Sequence, residues 1–231
     1  MMIIEIWSDY VCPFCYIGKR KLEKALEKYT GDYEIVYKAY QLDPNAKTEA
    51  QLSTNDVLAK KYNLTLEKVR QMNESVRQHA LTVGLHYKFD GMHYPNTFNA
   101  HRLVSYAKTK GLDKALSERL FKAHFIEGLN IGLNETLLEL ALEIGLNDVE
   151  AVLNSNAYAE AVQTDIKEAR EIQIQGVPFF VFNRKYAISG AQPLEVFENT
   201  IRKISSEQPK KSPFQTLGDQ GDVCGDDGCE R

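Results

Sequence analysis

Apolar residues run almost unbroken through Met2-Ile3-Ile4-Glu5-Ile6-Trp7, which reads as a buried strand over residues 2–8. A short turn, Ser8-Asp9-Tyr10-Val11, leads into a stretch from Cys12 to Tyr29 whose apolar positions Ile17, Leu22, Ala25, Leu26 and Tyr29 recur at helical spacing. Gly31 is the expected stop for that helix. Residues 33–40, Tyr33-Glu34-Ile35-Val36-Tyr37-Lys38-Ala39-Tyr40, are rich in β-formers and roughly alternate, which predicts a second strand. A β-α-β start implies a parallel pair.

From about Ser53 to Gln173 the pattern turns helical. Thr54-Asn55-Asp56 can cap a helix running to Tyr62, and Thr65, with Glu67 in the following turn, opens another through Val83. Helices are then predicted over Phe98–Lys110, Lys114–Glu127, Glu135–Ile144, Val149–Leu153 and Tyr158–Ile172, punctuated by Gly111, Gly128, Gly132 and Gly145. Gly-Leu endings recur at Gly84, Gly111 and Gly145 and read as helix stops, not as a sequence repeat. The leucines of this block are core stripes. β character returns at Val177–Phe182, with a turn at 183–185 and a partner strand at Tyr186–Ile188, and after Gly190 a last helix runs from Pro193 to about Ile204. Residues 205–231, poor in apolar groups, read as a flexible tail. The expected organisation is an α/β thioredoxin-type domain of residues 1–50 and 174–204, interrupted by an all-helical insertion of residues 51–173.

Composition narrows the function. At 231 residues and 43% hydrophobic content the chain can bury a large core. The net charge of −4, without a long basic run, argues against nucleic acid or an anionic membrane as partner. No apolar stretch approaches the roughly 18 residues of a spanning helix. Glu5 and Asp9 interrupt the apolar N-terminus, so no signal peptide is expected and the cytoplasm is the expected compartment. Four cysteines in a reducing compartment point to catalytic, sensing or metal-binding use.

Chemistry concentrates at Cys12-Pro13-Phe14-Cys15. A C-x-x-C opening a helix after a strand is the layout of a thiol–disulfide centre. The helix N-terminus carries unpaired N–H groups and a partial positive charge that stabilise a thiolate at Cys12. Pro13 suits the first helical position, where its missing N–H costs nothing. Cys15, three residues on, lies on the same face, within reach of a disulfide. Cys12 is then the exposed attacking thiol and Cys15 the more buried resolving one. Half a zinc site, or two small buried hydrophobes, are the alternatives.

Together with Gly176-Val177-Pro178 and Ser189-Gly190-Ala191-Gln192, this motif resembles the DsbA-like thioredoxin superfamily, and within it the FrnE-like cytoplasmic oxidoreductases, over residues 1 to about 204. The resemblance implies a cis Val177–Pro178 bond facing the dithiol. It implies that Val177 offers its backbone to an extended substrate peptide and that Pro178 keeps metals off the cysteines. Phe14 stands where the best-known DsbA pattern has a histidine and adds no charge or hydrogen bond. The disulfide is therefore expected to be less oxidising than DsbA's, between about −120 and −270 mV and nearer the reducing end. Asn96, within Asn96-Thr97-Phe98-Asn99-Ala100-His101-Arg102, is a substrate-facing candidate, as in a related kappa-class glutathione transferase branch, or an ordinary helix cap. His101 is expected to be structural, and His79, His86, His93 and His124 show no ligand spacing.

Cys224 and Cys229 form a C-x4-C in a Gly/Asp-rich segment, matched more weakly by some FrnE-like proteins. Asp226 and Asp227 disfavour a thiolate there. An auxiliary redox pair relaying electrons to Cys12 and Cys15, a soft-metal site and an inert tail all stay open. The expected activity is thiol–disulfide exchange on protein or low-molecular-weight substrates, without cofactor or bound metal. The competing readings are a glutathione-dependent isomerase or transferase of the kappa-like branch and a redox- or metal-responsive binding protein. Oligomeric state, a homodimer included, is not read from the sequence.

Overall fold

The computed structural model describes residues 1–48, 53–207, 223–225 and 228–230. A four-stranded sheet has the order β2-β1-β3-β4, formed by β1 (Met2–Ser8), β2 (Tyr33–Ala39), β3 (Phe179–Phe182) and β4 (Tyr186–Ser189). β1 pairs in parallel with β2 and antiparallel with β3, which pairs antiparallel with β4. Between the two halves of the sheet lie α2 (Thr54–Tyr62), α3 (Leu66–Leu81), α4 (Phe98–Lys108), α5 (Asp113–Lys122), α6 (Asn134–Glu143), α7 (Val149–Leu153) and α8 (Ala159–Glu171). α1 (Pro13–Leu26) follows β1 and α9 (Leu194–Glu207) closes the fold. The sheet is thus interrupted between β2 and β3 by a helical insertion, as the sequence predicts.

Alternation along the strands decides what covers the sheet. Met2, Ile4, Ile6, Phe180, Phe182 and Ile188 share one buried face with Leu22 and Leu26 of α1 and Phe197, Ile201 and Ile204 of α9. Trp7 and Val181 pack on the opposite side with Ala169 of α8 and Ile174. The third and largest cluster fills the insertion and takes in Tyr10, Cys12, Cys15, Tyr16 and Ile17. The cysteine pair therefore sits where the thioredoxin unit and the insertion meet.

Several boundaries differ from the sequence expectation. α1 ends at Leu26, with Glu27 as its cap, well before Gly31. Ser53 caps α2: its Oγ accepts the Asp56 N–H at 3.2 Å and donates to the Asp56 carboxylate at 2.7 Å, so the cap lies just ahead of Thr54-Asn55-Asp56. The helix expected over Lys114–Glu127 stops being an α-helix at Lys122 and widens into a π-helical turn, Ala123–Glu127. Strand β3 begins at Phe179, leaving Val177 and Pro178 in the preceding turn. α9 runs three residues into the segment read as a tail. Farther on, β5 (Val223–Gly225) and β6 (Gly228–Glu230) pair antiparallel.

Candidate active site

Cys12 is the N-cap of α1, in an extended conformation with no side-chain cap, and Pro13 follows in the first turn. The Cys12 N–H donates to the Asp9 carbonyl at 3.0 Å and the Cys15 N–H to the Cys12 carbonyl at 3.1 Å, which locks the turn. The Cys12 thiol faces the Val177 carbonyl at 3.5 Å. The Val177–Pro178 peptide is cis, and the Pro178 carbonyl accepts the Gly190 N–H at 2.8 Å. The three segments singled out in the sequence thus converge on one place.

Cys12 is not the exposed thiol that its position suggests. It is 4% exposed, against 2% for Cys15, because the 177–178 turn and the insertion cover both; each is a free thiol. Burial, a hydrogen bond with Cys12 and the Cys12 charge push the Cys15 thiol well above its ordinary range. Phe14, by contrast, is 39% exposed between them. The Tyr87 hydroxyl donates to the Pro13 carbonyl at 2.8 Å, tying the insertion to the first turn of α1.

Asn96 is engaged on every side. Its Nδ2 donates to the Pro44 and Ala46 carbonyls at 2.9 and 3.0 Å, and its Oδ1 accepts the Phe98 N–H at 2.9 Å and Gln41 Nε2 at 3.2 Å. That makes it a tie between the segment after β2 and the start of α4. It also borders a cavity of about 380 Å³ with Gln41, Phe98 and Asn99.

Three polar residues are buried inside the apolar core: Asp9, His101 and His124. Asp9 is 1% exposed; its Oδ2 accepts the Leu42 N–H at 2.7 Å, while its Oδ1 has no hydrogen-bond partner. That oxygen lies 3.5 Å from Nε2 of His101, a buried α4 residue whose ring packs on Tyr10 at 4.9 Å. His124, in the π-helical turn, is fully buried, and its ring meets the Leu129 backbone but no polar side chain within hydrogen-bond distance. Burial pulls its pKa down to about 4, so it is neutral above that pH. The only sequence signal for this group was polarity inside otherwise apolar surroundings.

The register of β5 and β6 sets Cys224 directly opposite Cys229.

A sequence profile of the DSBA-like thioredoxin domain matches residues 3–202. The uncharacterised protein YwbO of Bacillus subtilis is 31% identical over 212 residues, covering 90% of this chain and 98% of that protein. The crystal structure of a probable DsbA oxidoreductase from Streptomyces coelicolor is 34% identical, with a TM-score of 0.86 over 100% of this chain and 99% of the other. The cytosolic disulfide reductase DsbM from Pseudomonas aeruginosa is 16% identical, with a TM-score of 0.58 over 88% of this chain and 98% of that one; at that identity the likeness is one of fold.

Proposed function

The chain belongs to the family of DSBA-like thioredoxin domains, and from that premise we propose that it is a FrnE-like cytoplasmic thiol–disulfide oxidoreductase working through Cys12 and Cys15. The observation that carries this reading is the buried free dithiol at the N-terminus of α1, with the Cys12 thiol against the Val177 carbonyl. Cys12 attacks a protein or low-molecular-weight disulfide, one substrate sulfur leaves as thiolate, and a mixed disulfide remains. Cys15 then attacks the Cys12 sulfur and releases the second substrate thiol. The protein's own thiols carry the two electrons, so the reaction needs no cofactor and no metal.

Val177 offers its carbonyl to an extended substrate segment beside the sulfur, with Pro178 shaping that turn and exposed Phe14 adding apolar contact. Asn96 enters as a support for the segment after β2. Cys224 and Cys229 act as the auxiliary pair. Directly opposed residues on antiparallel strands have Cα atoms about 4.5–5.5 Å apart, inside the span a disulfide bridges. Nucleic acid and membrane are not partners in this reading: the net charge is −4, and no helix among the described residues is long and apolar enough to cross a membrane.

A resolving thiol beside the attacking one separates this enzyme from single-thiol isomerases and transferases. Cys15→Ser should accumulate a mixed disulfide with glutathione at Cys12, seen as a mass increase of the intact chain. Cys12→Ser should lose disulfide exchange altogether. Normal turnover by Cys15→Ser with nothing trapped would sink the two-thiol mechanism.

A further inference from the structure

We propose that Tyr87 is a positioning residue for the exchange reaction. By holding the Pro13 carbonyl, its hydroxyl strengthens the Phe14 N–H as the donor that receives the Cys12 thiolate. The inference rests on the two-thiol reading above and adds to it a residue of the insertion that does not touch substrate. Tyr87 lies between α3 and α4, is 3% exposed, and its hydroxyl donates to the Pro13 carbonyl at 2.8 Å. Its ring is stacked on Phe125 at 4.7 Å, edge-on to Phe89 at 5.7 Å and stacked with Tyr16 at 6.2 Å. Held by three rings, the phenol has no freedom to seek another acceptor.

The start of a helix offers its unpaired N–H groups to an anion, and α1 has fewer of them than usual. Cys12 is the N-cap, Pro13 at the first position has no N–H, and the Cys15 N–H is taken by the Cys12 carbonyl at 3.1 Å. That leaves the Phe14 N–H at the second position, the donor that an N-cap side chain ordinarily takes. Among the described residues it has no acceptor. In the thiol state the Cys12 S–H faces the Val177 carbonyl instead. Once the proton is gone, a carbonyl oxygen repels the sulfur and an N–H attracts it, so ionisation favours Phe14. The Phe14 N–H and the Pro13 carbonyl are two ends of one peptide group. A donor on the carbonyl draws electron density through the amide and makes its N–H the stronger donor, as in any chain of hydrogen bonds.

Charge links the two groups as well. Burial pushes Tyr87 upward, and the Cys12 charge adds to that ahead of Tyr16 and Cys15, with Arg20 opposing. The hydroxyl therefore keeps its proton at neutral pH and stays a donor. The other ionisable groups around the dithiol are Asp9, whose charge acts on Cys15, His101 of α4, 3.5 Å from Asp9, and Tyr10 and Tyr94. Burial pushes both tyrosines upward, so they too stay neutral. The Cys12 thiolate attacks one sulfur of the substrate disulfide, that bond breaks, and the electron pair leaves on the other sulfur. Tyr87 keeps its proton throughout. Its bond supports the charged sulfur, which exists only in the reduced protein, so it favours the dithiol over the disulfide.

The test uses full-length protein carrying Cys224→Ser and Cys229→Ser in every sample. It compares the parent with Tyr87→Phe, which lacks the donor, and Tyr87→difluorotyrosine, whose more acidic phenol is the stronger donor while burial keeps it protonated. Two quantities are read. One is the equilibrium in which the two protein thiols and one oxidised glutathione give the protein disulfide and two reduced glutathiones. The other is the ratio of iodoacetamide alkylation rates at Cys12 at about pH 6 and about pH 9, counted by peptide mass. Tyr87→Phe should raise the equilibrium constant about threefold and lower the rate ratio by about as much. The difluorotyrosine variant should move both the opposite way. A brace that only held the turn in place would not follow donor strength, so any other order of the three proteins in either readout overturns the inference. Should Tyr87→Phe not fold, the difluorotyrosine variant decides. A parent protein that forms no Cys12–Cys15 disulfide with oxidised glutathione overturns the two-thiol reading, and this inference with it.

Discussion

Gly18 shows how little room the active-site turn leaves. A Cβ at this position would stand 3.0 Å from Phe180 Cζ and 3.1 Å from Pro178 Cγ, and both neighbours are buried rings with nowhere to move. Only a bare backbone lets α1 approach β3 closely enough to hold Pro178 beside Cys12. Alanine would gain about 1 kcal/mol of helix propensity, but overpacking costs about 1–3 kcal/mol. Gly18→Ala should therefore lose about 1 kcal/mol in urea unfolding and slow disulfide exchange by displacing Pro178; a stabilised, fully active variant would show that the contact is slack. At this scale the sequence was legible where chemistry is local. Cys12 and Cys15 announce themselves by spacing, and Pro178 through the motif around it. Asp9, His101 and His124 did not, because their partnership is made only by tertiary packing. A lone histidine on a helix looks the same whether its neighbour is a leucine or a carboxylate. The same packing reversed the expectation for Cys12, whose helix-terminal position suggested exposure that the 177–178 turn removes.

At the scale of elements, the best-read signals were helix stops. Gly84, Gly111 and Gly145 all have positive φ, and the leucine after each donates its N–H to an alanine carbonyl five residues back: Leu85 to Ala80, Leu112 to Ala107, Leu146 to Ala141. The glycine N–H bonds three residues back in each case, completing a Schellman motif whose leucine, buried at 85 and 146 and half-buried at 112, pins the end. The π-helical turn at Ala123–Glu127 carried no comparable signal, since its residues have ordinary helical character. The sequence also did not reveal how the insertion is fastened to the sheet. Asp165 of α8 bonds Lys38 Nζ at 2.9 Å and the Ala39 N–H at 3.0 Å, while its carbonyl accepts Trp7 Nε1 at 3.0 Å. Glu168 bonds Lys38 and Arg184, and Arg184 also pairs with buried Glu5. Removing the Asp165 carboxylate leaves half-buried Lys38 with Glu168 alone and the Ala39 N–H without an acceptor. Asp165→Ala should therefore cost about 2–4 kcal/mol in urea unfolding, with Asp165→Asn retaining part of that through the Ala39 bond. A loss below about 0.5 kcal/mol would mean that α8 is held by its apolar face alone.

For the whole molecule, the core was foreseeable in outline: alternating strands and helical stripes pointed to an α/β unit split by an insertion, and the sheet and helices follow that plan. The placement of charge-bearing groups within the core was not foreseeable, and it governs the response to acid. His124 is neutral and fully buried, with its pKa pulled from 6.5 to about 4 by burial, against the opposing pull of Asp9. The unfolded chain therefore binds a proton at this residue between pH 6.5 and 4 that the folded chain refuses. Stability from the neutral form is complete above about pH 6.5 and drains away as pH falls toward 4, at up to about 1.4 kcal/mol per pH unit. The total at the acid end is about 3 kcal/mol. Glu118 works lower: burial pushes its carboxyl up, but Lys19, Tyr16 and Arg20 hold it below the usual 4.5, so its contribution is lost only as pH falls beneath that value. The His124 contribution, lost from pH 6.5 downward, thus precedes that of Glu118. Urea midpoints of the parent protein should drop between about pH 6.5 and 5, and His124→Gln, which carries no titratable group, should flatten the slope there while keeping the steeper loss below pH 4.5. An identical slope in both proteins would mean that the buried imidazole accepts its proton in the folded state at an ordinary pH, and the hydrophobic pocket of the π-helical turn would then be open to water.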